Sequence, residues 1–307
     1  MSAPNTPENR DTKQGFLYAG SAYLLWGFLP FYMKALAHIP SWEVVAHRIL
    51  WSIPLSLVIL YFLGLLGGLK KALASPRTIM MGALTASIIS VNWGVYVWAV
   101  GSGRALETAL GYYINPLFSV FLAAVLLGER LTRPQLVAIG LAIIAVAILT
   151  WDAGGLPWVS LALTFSWGAY AYFKKTLPVG PTEGFLLEIL LLCLPALGYV
   201  LWLASKGEGH FDLDGGSDMW LLAGTGFVTA IPLILYANGA KLLRLTTIAI
   251  MQYSAPTMIF LIAVFIFKEP FSTAKFVAFG FIWAALAIYS WSLFANHRKS
   301  IALEAAE

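Results

Sequence analysis

Charged residues are scarce in this chain of 307 residues. Asp, Glu, Lys and Arg together make up 11% of the sequence, whereas ordinary soluble domains carry about 25%. Hydrophobic residues make up 60%, which is more apolar surface than one soluble core of this size can hide from water. The same composition excludes an intrinsically disordered chain. It is typical of a polytopic membrane protein.

Cysteine is almost absent, and several chemical motifs are missing. Cys193 is the single cysteine, so neither an internal disulfide framework nor a thiolate metal site is expected. The basic residues are scattered despite a net charge of +4, which argues against a nucleic-acid partner. The sequence contains no Gly-rich phosphate loop and no serine nucleophile elbow. We therefore predict no cofactor, no metal and no enzymatic activity.

Long apolar runs fill most of the chain. A spanning helix needs about 20 mainly apolar residues, and the continuous hydrophobicity of these runs favours helices over the alternating strands of a membrane barrel. We predict an all-α polytopic membrane protein with ten transmembrane helices. The predicted spans lie near residues 15–37, 43–64, 77–99, 105–127, 133–150, 157–177, 182–204, 218–240, 246–267 and 273–294.

Basic residues are distributed unevenly between the two ends of these spans. With the N-terminus inside, the cytoplasmic segments hold 13 of the 19 Lys and Arg residues and the outer segments hold 5. This bias follows the positive-inside rule. It predicts that both termini lie in the cytoplasm, the N-terminal tail being residues 1–14 and the C-terminal tail residues 296–307.

The two halves of the chain resemble each other at a shift of 141 residues, which later becomes 140. Residues 15–150 and residues 151–295 each hold five predicted spans, and an odd number places the second copy upside down relative to the first. Inverted repeats of this kind are typical of secondary transporters. The equivalent positions include Trp26-Gly27 and Trp167-Gly168, Pro54 and Pro195, Tyr96 and Tyr236, Tyr113 and Tyr253, and Pro116 and Pro256.

Short motifs along the chain are similar to those of a known family. They are Trp26-Gly27, Glu43-x-x-x-His47-Arg48 with Trp51-Ser52, Asn92-Trp93, the run from Ala109 to Pro116, Gly128-Glu129, and Gln252-Tyr253-x-x-Pro256-Thr257. From about residue 15 to 295 the chain resembles the EamA-domain branch of the drug/metabolite transporter superfamily, and most closely its RarD proteins. The resemblance implies export of small metabolites or drugs through the inner membrane. It also implies that spans 1–4 and 6–9 surround a central cavity, with spans 5 and 10 at the periphery.

Polar side chains inside the spans are the candidate site residues, because a charge in the membrane costs several kcal/mol unless it faces a cavity or a partner. Arg48 is expected to attract a carboxylate or phosphate. Alternatively, it pairs with Glu43 and only fixes helix packing. The predicted substrate-binding residues are His47, Arg48, Asn92, Trp93, Tyr113, Glu188, Gln252 and Tyr253.

Coupling and hinge residues follow from similar arguments. Glu43, His47 and Glu188 are candidates for carrying a coupling proton, because all three side chains titrate. Glu188 is equivalent to His47 between the halves, and it is also a candidate partner of Arg48 or one half of a structural bridge. Proline frees a carbonyl and bends a helix, so paired prolines mark either hinges or static kinks. The hinge candidates are Pro54, Pro116, Pro195 and Pro256.

These features predict a secondary transporter that exports small polar or anionic metabolites or drugs by alternating access. A channel-like facilitator or an importer of small molecules is the main alternative. A membrane-embedded enzyme is a weaker one, because Glu43 and His47 lack the second histidine of a His-Glu-x-x-His site. The expected partners are a small-molecule substrate and the lipid bilayer, and the oligomeric state stays open.

Overall fold

The structure is a computed structural model that describes residues 11–127, 131–212 and 215–304. Every regular element in these ranges is helical, and they contain no strand, so the prediction of an all-α fold is confirmed. The elements are α1 (Lys13–Ala35), α2 (Ser41–Phe62), α3 (Leu66–Leu73), α4 (Pro76–Gly101), α5 (Ala105–Leu127), α6 (Arg133–Ala153), α7 (Trp158–Thr176), α8 (Pro181–Lys206), α9 (Ser217–Lys241), α10 (Leu245–Met251), α11 (Ser254–Leu261), a π-helical turn (Ile262–Ile266) and α12 (Thr273–Glu304).

Seven helical segments in the described ranges are long and apolar enough to cross a membrane. They are Ser41–Phe62, Pro76–Gly101, Arg133–Ala153, Pro181–Lys206, Ser217–Lys241, Thr247–Ile266 and Thr273–Ala295. The other three predicted spans fold as α1, α5 and α7, which have 23, 23 and 19 residues and are not among these seven.

Local sequence signals set the helix ends. The Thr12 hydroxyl accepts the Gly15 N–H at 3.0 Å and caps the start of α1, which satisfies one of the free donors there. Ser75 caps α4 in the same way, ahead of a proline in its first turn. Gly154 and Gly207 end α6 and α8 with φ of 65° and 69°, a conformation that glycine adopts at little cost.

Two features of the helices were not predicted from the sequence. The short helix α3 buries Leu69 and Ala72 and exposes Lys70 and Lys71, as expected for a helix lying along a surface. In addition, α12 continues to Glu304, through most of the segment predicted to be the C-terminal tail.

The four hinge candidates differ in their surroundings. Pro54, Pro116 and Pro195 lie inside the unbroken helices α2, α5 and α8. Pro256 follows the break between α10 and α11. It has no N–H to donate to the carbonyl of Gln252, and Gln252 is the C-cap residue at which α10 ends.

Contacts between helix ends define two faces of the bundle. Where α1 begins, the Thr12 N–H donates to the carbonyl of Leu242 after α9 at 3.2 Å, and we call this the proximal face. At the opposite, distal face, the start of α2 meets the segment after α8 through Glu43 and His210. The start of α5 meets the segment before α12 through Glu269.

The core forms between helices that are distant in sequence. Helix α1 packs against α9 and α11, α2 packs against α8 and α9, and α7 packs against α4 and α5. Helices α6 and α12 pack mainly against each other. Glycine permits the closest approaches, since a Cβ at Gly27 would clash with Met258 of α11 and a Cβ at Gly168 would clash with Phe118 of α5.

We expect Gly239→Ala to destabilise the packing of α1 on α9. A Cβ at Gly239 would lie 2.7 Å from the backbone nitrogen of Ala19, and backbone cannot turn away as a side chain can. The free energy of unfolding should fall by about 1–3 kcal/mol, seen as a lower melting temperature in detergent. The matched control is Gly140→Ala on α6, where a Cβ meets nothing within 4 Å. A Gly239→Ala variant as stable as this control would contradict the close packing.

Candidate functional site

Arg48 on α2 is a buried positive charge, with 4% of its surface exposed. Its Nε donates to Oγ1 of Thr229 on α9 at 3.1 Å, and its guanidinium lies 4.8 Å from the ring centroid of Trp93 on α4. The Nη1 atom is buried without a hydrogen-bond partner, and Arg48 forms no ion pair within the described part of the chain. The guanidinium is therefore held at one edge by Thr229 and at one face by Trp93, and it keeps N–H donors that can bind a further acceptor.

Two tyrosine side chains lie on the Trp93 side of the site. Tyr96 is one helical turn beyond Trp93 on α4, and it packs against Tyr112 on α5. Their ring centroids are 5.9 Å apart, and the buried hydroxyl of Tyr96 has no hydrogen-bond partner among the residues described. The site thus combines one cation with a neutral hydroxyl donor, and both suit an anionic ligand.

His47 lies beside Arg48 and is also buried. Its ring stacks on Phe211 at a centroid distance of 5.0 Å, and neither ring nitrogen finds a hydrogen-bond partner in the part of the molecule described. Phe211 also contacts Trp51, with ring centroids 5.7 Å apart. Since Phe211 belongs to the segment after α8, a loop of the distal face covers the His47 side of the site.

Glu43 holds this loop in place and does not pair with Arg48. Its carboxylate is 1% exposed and accepts the backbone N–H of His210 at 2.7 Å. Its other oxygen lies 2.8 Å from Nδ1 of the same histidine. We call residues 207–212 the distal loop. Close to it in sequence, Asp218 at the start of α9 lies 2.9 Å from His38 and joins this helix to the end of α1.

Glu188 is buried in the opposite half of the bundle, where its partner is Lys174 and not Arg48. Lys174 Nζ on α7 lies 2.7 Å from Glu188 Oε1 on α8, and the two side chains are 19% and 1% exposed. Tyr170 donates its hydroxyl proton to Glu188 Oε2 at 3.1 Å. Lys174 was not predicted as a site residue, because the positive-inside rule already explains a basic residue near the end of a span. The one local sign in the sequence is that Lys174 follows Tyr170 by four residues, which places both side chains on the same face of a helix.

Other predicted site residues form hydrogen bonds within the bundle. Asn92 Nδ2 donates to the Leu163 carbonyl at 3.2 Å and to Ser166 Oγ at 2.8 Å, both on α7. Tyr113 on α5 hydrogen-bonds Thr257 on α11 at 2.7 Å. Gln252 and Tyr253 lie at the break between α10 and α11, where Gln252 Nε2 donates to the Ala249 carbonyl at 3.0 Å. The structure therefore brings together His47, Arg48 and Trp93, and gives Asn92, Tyr113 and Gln252 contacts within the bundle.

Two carboxylates outside the spans stabilise helix ends. Glu269 accepts the N–H groups of Ala105 at 2.7 Å and Leu106 at 2.8 Å at the start of α5. Burial raises the pKa of Glu269 above its ordinary value, and these two hydrogen bonds offset part of that rise. Gly128-Glu129, the motif at the equivalent place in the first half, lies outside the described residues.

The proximal face is joined through Asp11, which accepts hydrogen bonds from Arg244 Nη2 at 2.7 Å and from the Thr247 hydroxyl at 2.8 Å. Burial raises the pKa of Asp11, but the hydrogen bonds from Arg244 and Thr247 outweigh this effect and bring it below its ordinary value. Among the residues described, no three His, Cys, Asp or Glu side chains gather in a group that could hold a metal ion.

Comparison with known proteins places these features in a family. Residues 13–151 match the EamA-like transporter family. The chain is 41% identical over 297 residues to Protein RarD of Streptomyces exfoliatus, covering 96% of this chain and 94% of that protein. It is 36% identical over 291 residues to Protein RarD of Escherichia coli (strain K12), covering 95% and 98%. It is also 40% identical over 291 residues to the uncharacterized transporter YojE of Bacillus subtilis (strain 168), covering 93% and 96%.

A solved crystal structure superposes with a TM-score of 0.59 at 20% sequence identity, over 92% of this chain and 98% of that chain, which is a likeness of fold. The apolar helices and these relatives define a multi-pass membrane protein of the small-molecule transporter class. Within that class the chain belongs to the EamA-domain family of drug/metabolite transporters and is most like its RarD members. The resemblance carried by the sequence motifs is confirmed.

We expect Glu43→Ala to free the distal loop. The variant removes the acceptor of the His210 N–H, and a hydrogen bond to a charged group contributes about 2 kcal/mol. Hydrogen exchange at the His210 amide should therefore accelerate roughly 30-fold. The control is Glu208→Ala, which changes an exposed carboxylate two residues away. Equal exchange at His210 in the two variants would show that Glu43 does not hold the loop.

Proposed function

We propose that this chain is a secondary transporter that binds a small anionic or polar molecule at Arg48 and exports it across the inner membrane by alternating access. The observation that carries this proposal is a buried guanidinium with no carboxylate partner in the described ranges. An uncompensated charge in a low-dielectric interior costs several kcal/mol. A bound anion would supply the missing partner.

The surroundings of Arg48 favour an anion over a cation. Thr229 donates its own hydroxyl proton to the Thr225 carbonyl at 2.7 Å, so its oxygen accepts from Arg48 and fixes the guanidinium. Trp93 covers one face, and Tyr96 adds a hydroxyl. The planar fork that is left can bind a carboxylate or a phosphate through two parallel hydrogen bonds.

The buried carboxylates of Glu43 and Glu188 do not compete for this site. Glu43 is already bound by His210, and Glu188 is bound by Lys174. His47 is the proton-coupling candidate that these contacts favour, because its ring nitrogens have no partner among the described residues. In the proposed cycle, the distal loop closes the site on the side where Phe211 covers His47.

We further propose ten spans arranged as two inverted repeats, residues 15–150 and 151–295, with both termini in the cytoplasm. Equivalent contacts support this arrangement, since Gly27 meets Met258 while Gly168 meets Phe118, and Met258 and Phe118 are 140 residues apart. The packing of α1 on α9 likewise has a counterpart in that of α7 on α4. Two copies of one shape in opposite orientations give two states open to opposite sides. The basic loops favour a cytoplasmic proximal face.

Arg48→Ala should abolish export. Removing one member of a buried charge pair costs at least about 2 kcal/mol, so flux should fall by roughly 30-fold or more. Arg48→Lys should be intermediate, because a lysine keeps the charge and loses the fork. The measurement compares extracellular metabolites of cells producing each variant at equal membrane level. Arg133→Ala, which removes an exposed arginine on α6, is the matched control.

The outcome of this comparison separates the candidate functions. A compound enriched outside the cells with wild type and with Arg133→Ala, and not with Arg48→Ala, supports export through Arg48. The same compound depleted from the medium would make the protein an importer, and flux that does not saturate would favour a channel. Normal export by Arg48→Ala would remove Arg48 from the site.

A further inference from the structure

A second buried cation lies in the proximal half of the bundle, outside the Arg48 site. Lys174 is near the end of α7, and its Nζ is 2.7 Å from the carboxylate of Glu188 on α8. The same Nζ lies 5.6 Å from the ring centroid of Tyr170. The Glu188 carboxylate and the Lys174 Nζ are both enclosed, and the exposed 19% of the lysine side chain is its stem, so the stem of Lys174 is the part of this pair that reaches the surface.

A row of aromatic rings joins this pair to Arg48. The ring centroids of Tyr170 and Trp167 are 5.8 Å apart, those of Trp167 and Tyr112 are 6.3 Å apart, and those of Tyr112 and Tyr96 are 5.9 Å apart. The first three of these side chains are half-buried. The row runs from α7 through α5 to α4, where Trp93, one helical turn before Tyr96, packs on the guanidinium of Arg48. The two cations therefore lie at opposite ends of one row of aromatic side chains.

The two cations are held differently. Arg48 is fixed by a hydrogen bond at one edge and by a ring at one face. Lys174 is a point charge on a flexible stem, which can turn its three donors from one acceptor to another. Glu188 keeps the Tyr170 hydroxyl as a donor, so it would retain a hydrogen bond when Lys174 leaves it.

We propose that Lys174 is a second anion-binding residue, the entry site on the path to Arg48, and that Glu188 is the resident counter-ion that the substrate displaces. The ammonium exchanges one carboxylate for the incoming anion, no covalent bond changes, and no proton moves. This role rests on the proposed function, in which an anion is carried by way of Arg48. The entry role specifies in addition that the anion first binds at Lys174 and that it replaces the carboxylate of Glu188 there.

The test measures uptake of labelled benzoate, lactate and phosphate into membrane vesicles of both orientations. At the proximal face, Lys174→Gln should raise the half-saturating anion concentration at least tenfold, because the entry cation is lost. Glu188→Gln should lower it about threefold or more, because the competing carboxylate is gone. From the distal face, neither variant should change half-saturation. Lys175→Gln, at the exposed neighbouring lysine, is the matched control.

The double variant Lys174→Gln with Glu188→Gln distinguishes binding from a merely structural bridge. A structural bridge predicts that each single variant lowers the amount of folded protein, that the neutral double variant restores it, and that half-saturation stays constant throughout. Entry at Lys174 predicts that the double variant binds as weakly as Lys174→Gln alone. Equal half-saturation in wild type and Lys174→Gln would overturn the role of Lys174.

Arg48→Ala separates this result from the proposed function. Saturable uptake that disappears in Arg48→Ala and is indifferent to Lys174→Gln would leave the proposed function standing and reject the entry site. The absence of saturable, Arg48-dependent uptake of all three anions by wild type would overturn both.

Discussion

Charge compensation inside an apolar interior is the constraint on which the polar part of this structure depends. A buried ion needs a partner with good geometry, since desolvation alone costs several kcal/mol. Glu43 and Glu188 each have a basic partner within 2.8 Å. Arg48 has a threonine and a tryptophan ring. The two carboxylates are therefore paired with basic side chains of the protein, whereas the Arg48 guanidinium can still bind an anionic ligand.

The sequence predicts whatever depends on composition and local spacing. Continuous apolar runs predict the long helices, since backbone polar groups in lipid must be satisfied within the segment. The adjacency of His47 and Arg48 on α2, and of Asn92 and Trp93 on α4, marks the site because polar side chains within such runs are rare. The ninth predicted span breaks shortly before Pro256, and a proline in the sequence is a local signal for such an interruption.

Pairings across helices carry no comparable signal. Glu43 meets His210 in a loop more than one hundred residues away, and nothing in either segment specifies the other. Lys174 stands near the end of a predicted span, where topology alone explains a basic residue. Its pairing with Glu188 depends on where α7 and α8 lie relative to each other, a tertiary relation that hydropathy does not encode. The short helix α3 was missed since eight residues are too few for a clear period.

Two residues that correspond at the shift of 141 have different chemistry. His47 and Glu188 correspond in sequence, yet the first stacks on the phenyl ring of Phe211 and the second pairs with Lys174. At the distal face, the buried carboxylate of Glu43 holds a loop to a helix. At the proximal face, the carboxylate of Glu188 holds two helices together. A loop can leave without moving the helices it covers, whereas separating α7 from α8 moves the rings that lead to Arg48. In the proposed cycle, opening towards the distal face therefore requires a smaller rearrangement than opening towards the proximal face. A substrate that replaces Glu188 at Lys174 would supply binding energy at the step that needs more of it.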